Sequence, residues 1–233
     1  MLTLVLVVGV VSAALLVGAA WGLWGKLPEK LDGFLVAMAG GAVLLSVTSE
    51  LIEPSLEKSH LWLVALAVAA GAVVFSIADY WVDEKWGGES GGGLLAAITL
   101  DGIPENLALG VALIGAGAPE VAALAGSILL SNLPEAAGGA KDMGGKGHSK
   151  GKIFGLWAAT AALLAAAAIA GNLLLEGASE HHLAAIRCLA AGAVSASLAT
   201  EVFPKAFKED RHWAGVATAL GAILAFALGS LSA

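Results

Sequence analysis

The sequence predicts an all-α integral membrane protein with eight spanning helices, and three observations predict it. Of its 233 residues 58% are hydrophobic and 13% charged, against about 25% charged in an average soluble domain, too few charges to cover a globule in water. Eight apolar segments, each near the roughly 20 residues needed to cross a bilayer, fall at 2–24, 33–55, 61–82, 93–116, 119–140, 152–175, 183–205 and 212–232. If they alternate in direction, every one of the 12 Lys and Arg residues except Lys58 and Arg187 lies on a single face. The positive-inside rule makes that face cytoplasmic and puts both termini outside the cytoplasm, in the plasma (inner) membrane.

The elements can be justified in order. Segment 1 has no Lys or Arg before it and an apolar run longer than a signal-peptide core, so it is read as a retained helix. Trp21, Trp24, Trp62, Trp81 and Trp213 sit near segment ends, where an aromatic belt belongs. Gly-rich residues 87–93 read as a linker before segment 4. The connector 141–151, KDMGGKGHSKG, is basic and flexible in composition; it lacks a preceding strand and the Gly-Lys-Ser/Thr spacing of a phosphate loop. A single cysteine, Cys188, excludes a disulfide framework and a cysteine zinc site. His181, His182 and His212 fall at membrane edges, where solvation accounts for them. The remaining loops leave no room for a soluble catalytic or nucleic-acid-binding domain.

Residues 40–54, GGAVLLSVTSELIEP, align without gaps on 191–205, AGAVSASLATEVFPK. Gly41 matches Gly192, Ala42 Ala193, Val43 Val194, Ser46 Ser197 and Glu50 Glu201. An acid at the same place in helices 2 and 7, five apart in order and hence antiparallel, implies that helices 1–3 and 6–8 are inverted repeats around a helix 4/5 pair, a 3+2+3 arrangement. A second echo joins helices 4 and 5: Asp101-Gly102-Ile103-Pro104-Glu105-Asn106 and Ser131-Asn132-Leu133-Pro134-Glu135-Ala136. Each places a proline in mid-helix, which frees a carbonyl and leads one to expect a kink and irregular backbone there.

Asp101 and Glu105 are four apart and share a helix face, and Ser131 and Glu135 repeat the spacing. An acid at mid-bilayer costs about 2.5–3.5 kcal/mol on insertion scales and commonly marks an ion path or a proton relay. Asp101, Glu105, Glu135 and Glu201 lack an equal number of buried Lys or Arg, so protons or a metal cation must compensate them. Glu50 falls near the outer face and Glu201 near the inner one, which suggests a path from Glu50 past the central oxygens to Glu201 and then Asp79 or Lys205. Glu53, Glu57, Glu120, Glu176 and Glu180 give the outer loops a negative rim. Glu50 and Asp79 fit interfacial carboxylates equally well, and Asn106 and Ser131 fit interhelical hydrogen-bonding residues.

Two successive helices with Pro-Glu motifs, flanked by three on each side, resemble the ZIP family of divalent-metal transporters along essentially the whole chain. The resemblance rests on GIPENLALG (102–110), SNLPEA (131–136) and AAGAVSASLATEVFPKA (190–206). It implies a binuclear metal site on helices 4 and 5, with a carboxylate from helix 7. Glu105, Asn132, Glu135 and Glu201 match the family pattern in type; Asp101 and Ser131 stand where histidines are typical, and Gly102 where an asparagine is. The short loop between helices 3 and 4 lacks the histidines that many members carry there.

The resulting metal-site candidates are Asp101, Glu105, Asn132, Glu135, Glu201, Ser131, Asn106 and Glu50. An oxygen-only donor set suits manganese, magnesium, calcium or ferrous iron better than zinc. The expected activity is non-enzymatic: divalent cations carried toward the cytoplasm by alternating access, with no permanent cofactor. The expected partners are the cations and the bilayer, without nucleic acid and with homodimerisation left open. A proton-coupled transporter of another solute and a nontransporting metal sensor remain alternatives. An intramembrane hydrolase finds no support beyond the carboxylates.

Overall fold

The computed structural model describes residues 1–86 and 91–230. All regular structure among the described residues is helical. It forms α1 (Leu2–Trp24), α2 (Glu29–Lys58), α3 (Leu61–Trp86), α4 (Gly91–Ala112), α5 (Ala122–Gly145), α6 (Lys150–Leu175), α7 (Glu180–Glu209) and α8 (Ala214–Gly229). Of the linker expected at 87–93, residues 87–90 lie outside the described residues and 91–93 open α4.

Six of these helices are long and apolar enough to cross a membrane: α1, α2, α3 through Val82, α5 with the turn before it, α6 and α7. The protein is therefore an all-α integral membrane protein. The apolar helix α8 is shorter, at 16 residues, and α4 has 22 residues with its acids near mid-length. Outward faces are apolar: Val5, Leu6 and Val10 on α1, Leu66 and Val74 on α3, and Ile223 and Phe226 on α8 are exposed, as side chains meeting lipid should be. Trp24, Trp62, Trp81 and Trp213 are exposed near helix ends.

Local chemistry sets several boundaries. Pro28 precedes α2, whose first turn carries Glu29 and Asp32, acids favoured at a positive helix terminus. The Ser149 and Ser179 hydroxyls accept from the backbone N–H groups of Lys152 and His182 and so cap α6 and α7. Gly147, at φ 86°, takes the left-handed conformation that ends α5.

Helix pairing follows a pattern. α1 packs on α5 and α6 on α4; α2 packs on α8 and α7 on α3; α2 meets α5 and α7 meets α4; α8 touches α5 and α3 touches α4. Exchanging α1 with α6, α2 with α7, α3 with α8 and α4 with α5 leaves this set of neighbours unchanged. Glycine makes the tightest of these contacts. A methyl group on Gly41 would collide with the Thr218 carbonyl, and one on Gly192, its repeat counterpart, with the Val68 carbonyl. In lipid, where burying apolar surface gives little net gain, such close backbone approach supplies much of the association energy.

The irregular backbone does not fall where the mid-helix prolines suggested. Helical structure continues through Pro104 and Pro134. It changes to π geometry instead at Val47–Ile52 in α2 and Leu198–Val202 in α7, which contain Glu50 and Glu201. The Glu53 N–H bonds the Thr48 carbonyl, and the Phe203 N–H that of Leu198, each one residue beyond α-helical spacing. Pro54 and Pro204 then stand in the first turn of the resumed α-helix, where a missing N–H costs least. Each acid thus sits on a widened turn ahead of a proline.

Candidate functional site

Residues of four helices, α2, α4, α5 and α7, enclose a cavity of about 180 Å³. Asp101 and Glu105 reach it from α4, Ser131 and Glu135 from α5, and Glu201 and Lys205 from α7, with Val36, Ala39 and Val43 of α2 forming an apolar wall. The i, i+4 spacing on α4 and α5 aims both members of each polar pair inward, and the π turn of α7 brings Glu201 to face them. Glu105, 8% exposed, is buried, while Asp101, Glu135 and Glu201 are half-buried.

The acids are joined into a chain. The Asp101 carboxyl lies beside Ser197 and Glu201, and Glu201 lies beside Asp79 on α3. The line Asp101, Glu201, Asp79 thus brings acids of α4, α7 and α3 side by side. One oxygen each of Asp101 and Glu201, Oδ1 and Oε1, is buried with no hydrogen-bond partner. Unsatisfied buried acceptors of this kind favour an incoming cation or proton donor.

Five of the eight sequence-predicted site residues, Asp101, Glu105, Ser131, Glu135 and Glu201, therefore meet at one cavity. The other three stand apart from its wall. Asn106 is buried and donates to the Gly102 carbonyl of its own helix at 2.9 Å. Asn132 is buried and donates at 3.1 Å to the Val11 carbonyl, joining α5 to α1. Glu50 lies in a separate vestibule of about 640 Å³ with Glu53, Glu120 and Arg187. Its Oε1 accepts from the Leu124 N–H at 3.0 Å, which ties α2 to the start of α5.

Matched residues of the two repeats do unequal work. Ser46 accepts from the Ser127 hydroxyl at 2.8 Å and binds α2 to α5, whereas Ser197 contacts the Asp101 acid on α4. Glu50 is held by backbone at one end of the bundle, and Glu201 by carboxyls at its centre.

Among the described residues, the cavity lining reaches one end of the bundle. Asp142, at the end of α5, lines it and is exposed, and Lys205 and Asp32 stand at this mouth as an ion pair, Nζ to Oδ2 3.7 Å. Toward the other end, Val47, Leu51, Leu109, Leu124, Ile128 and Val194 form a buried apolar cluster that continues into the cavity wall at Val43 and Leu198. Their positions along α2, α4, α5 and α7 place this layer between the acids and the Glu50 vestibule. Sequence reasoning found the acids from their depth; it missed Asp32, whose partner Lys205 is carried on another helix, and the apolar layer, whose residues look like any other membrane-helix side chains.

Among the described residues no three His, Cys, Asp or Glu side chains form a ready metal cage. The acids line the wall of a cavity and do not converge on one point. His181, His182 and His212 are exposed and absent from its lining, and Cys188 is buried away from it. No protein-family model and no curated protein matches the sequence.

Proposed function

We propose that the protein is an alternating-access permease, and, within that class, a ZIP-like carrier of divalent metal cations moving them toward the cytoplasm. The observation that carries the reading is the grouping of Asp101, Glu105, Glu135 and Glu201 around one small cavity, open at the Lys-rich end and closed by apolar side chains toward the Glu-rich end. Five acids, Asp142 at the mouth among them, with a single lysine among the lining residues create a strong preference for cations. Dispersed ligands suit a carried ion, which must bind well enough to enter and weakly enough to leave. The cation is cargo, and the donor oxygens favour manganese, ferrous iron, magnesium or calcium over zinc.

In this reading all eight helices span the membrane as 3+2+3. The symmetric neighbour pattern, the paired glycines and the paired π turns support inverted repeats. Charge distribution makes the Lys-rich end cytoplasmic. The unequal surroundings of Glu50 and Glu201 then correspond to an inward-open state, and exchanging the two repeat conformations would close the Lys205 mouth and open the Glu50 vestibule. The vestibule acids would gather cations before that opening.

The test is uptake by purified protein in liposomes of manganese, iron(II), zinc, cadmium, magnesium and calcium, with Glu105→Ala as control. Uptake lost in the variant is expected; no cation moving above empty vesicles overturns the reading. The carboxyl chain through Asp79 favours a second reading, proton-coupled transport of another solute. Proton flux in the same vesicles without any divalent flux would select it.

A further inference from the structure

The vestibule and the central cavity are built from matched residues. Carried toward the N-terminus, the register of 40–54 on 191–205 pairs Met38 with Leu189, whose carbonyls receive the close approach of Gly221 and Gly71, and Val36 with Arg187. In this register Glu50, Pro54 and Arg187 of the vestibule correspond to Glu201, Lys205 and Val36 of the cavity, and the echo between α4 and α5 sets Ala112 against Asp142. What differs is what two of the matched residues hold. Arg187 reaches from α7 to the last turn of α4, where its Nη2 donates to the Val111 carbonyl at 3.3 Å. Glu50 reaches from α2 to the first turn of α5, where its Oε1 accepts from the Leu124 N–H at 3.0 Å. A cation at a helix C-terminus and an anion at an N-terminus are each favoured by the backbone groups there. Thus α7 and α2 grip the turn between α4 and α5 from two sides at the Glu-rich end. At the open mouth Val36 has no donor to do the same, and Glu201 faces the cavity. The hold of Arg187 is loose. Its bond is long for N–H to oxygen, the Val111 carbonyl also accepts from the Ile114 N–H, and the guanidinium Nε is buried without a partner.

We propose that Arg187 is the latch of the closed Glu-rich gate: it holds α7 against the end of α4, and its release lets the vestibule deepen through the apolar layer to the acids. The proposal rests on the alternating-access reading and names a residue that biases its two states. The cargo supplies the release. A divalent cation gathered by Glu50, Glu53 and Glu120 shares the vestibule with the guanidinium and repels it. The same cation competes with the Leu124 N–H for the Glu50 carboxylate, so both grips on the α4/α5 turn weaken together. A cation can therefore shift the population toward the outward-open state before it reaches the central acids.

Val47 is the reporter of that opening. It is 1% exposed in the apolar layer and matches Leu198, which lines the cavity, so it becomes a wall residue only when the Glu-rich end opens. In vesicles holding the full chain with Cys188→Ser, Val47→Cys is expected to react slowly with a membrane-impermeant thiol reagent from the Glu-rich face. Adding Arg187→Ala or Arg187→Gln is expected to raise that rate about tenfold, the order of one hydrogen bond to a charged group. In the same variants Leu198→Cys is expected to slow from the Lys-rich face. Arg187→Lys, which keeps the charge and a donor, is expected to restore most of both parental rates. Opposite changes at the two reporters separate a latch from a loosened bundle, in which both cysteines would react faster. An unchanged rate at Val47→Cys in both variants, or a rise at both reporters, overturns the latch, and Mn²⁺ uptake that persists then leaves the permease reading standing. Vesicles that move no divalent cation, with a Val47→Cys that neither Mn²⁺ nor loss of Arg187 exposes, overturn both.

Discussion

At the scale of single residues, the polar groups in the membrane divide by what they touch. Asn132 gives its amide hydrogen to a carbonyl of α1, while Glu135, one turn later on α5, faces the cavity. The two should fail differently. Asn132→Ala removes an interhelical bond worth about 0.6 kcal/mol on average in membrane proteins and up to about 1.7; it should lower the unfolding temperature of the purified protein and leave uptake per folded molecule within a factor of two or so. Glu135→Ala should abolish uptake while insertion and unfolding temperature are kept, as read by the same vesicle assay and a thermal melt. If Asn132→Ala also abolished uptake without loss of stability, its amide oxygen would have to be counted among the cargo ligands. Acidity gives a second check on the acids. Carboxylates bind metal only when deprotonated, so a falling pH protonates the site and competes with the cation. Initial uptake rates should therefore rise with pH on the entry side, and a flat profile would mean that the carboxylates do not hold the ion.

At the scale of elements, the structure rests on helices that approach through glycine and turn irregular at matched points. Gly192→Ala should push α7 off the Val68 carbonyl of α3, an overpacking cost of about 1–3 kcal/mol. Gly155→Ala, where a Cβ meets nothing within 4 Å, should be neutral, and the difference between their thermal melts measures the contact. The element boundaries were largely legible because apolar length is a strong signal in a membrane: segment 2–24 coincides with α1, and 33–55 and 183–205 sit inside the longer α2 and α7. Those two helices extend past the apolar segments because their ends, with Asp32 and Glu209, pack on protein and on one another at the Lys-rich mouth. The repeat of 40–54 on 191–205 was legible through five identical residues, yet its structural content, a π turn at each acid, was not. Pro104 and Pro134, the prolines that a sequence makes conspicuous, are absorbed by their helices. Pro54 and Pro204 mark where α-geometry resumes, and only hydrogen-bond register reveals it. The acids of the cavity were legible from their cost in lipid; the Asp32–Lys205 pair was not, because nothing in sequence spacing brings the start of α2 to the end of α7.

At the scale of the whole molecule, the asymmetry between two related halves is the property that a carrier requires. An apolar layer that includes Val47, Leu109, Leu124, Ile128 and Val194 separates the acids from the Glu50 vestibule, while Asp142 and Lys205 connect them to the opposite face. A fixed channel would have a continuous wet path, and a static scaffold would have no need of one cavity closed by dry side chains on one side alone. Single cysteines read the difference, since Cys188 is fully buried and can be replaced by serine to clear the background. In that background, Gly139→Cys in the cavity wall should react with a membrane-impermeant thiol reagent from the Lys-rich face, and Ser49→Cys in the vestibule from the Glu-rich face. Leu198→Cys, at the junction of cavity and apolar layer, should react from the Lys-rich face. If the repeats exchange conformations during transport, adding Mn²⁺ to turning-over vesicles should slow that reaction and expose Leu198→Cys to reagent from the Glu-rich face. Simultaneous reaction from both faces in a single state would mean a channel, and reaction from the Lys-rich face alone under every condition would mean a cation-binding protein that does not transport.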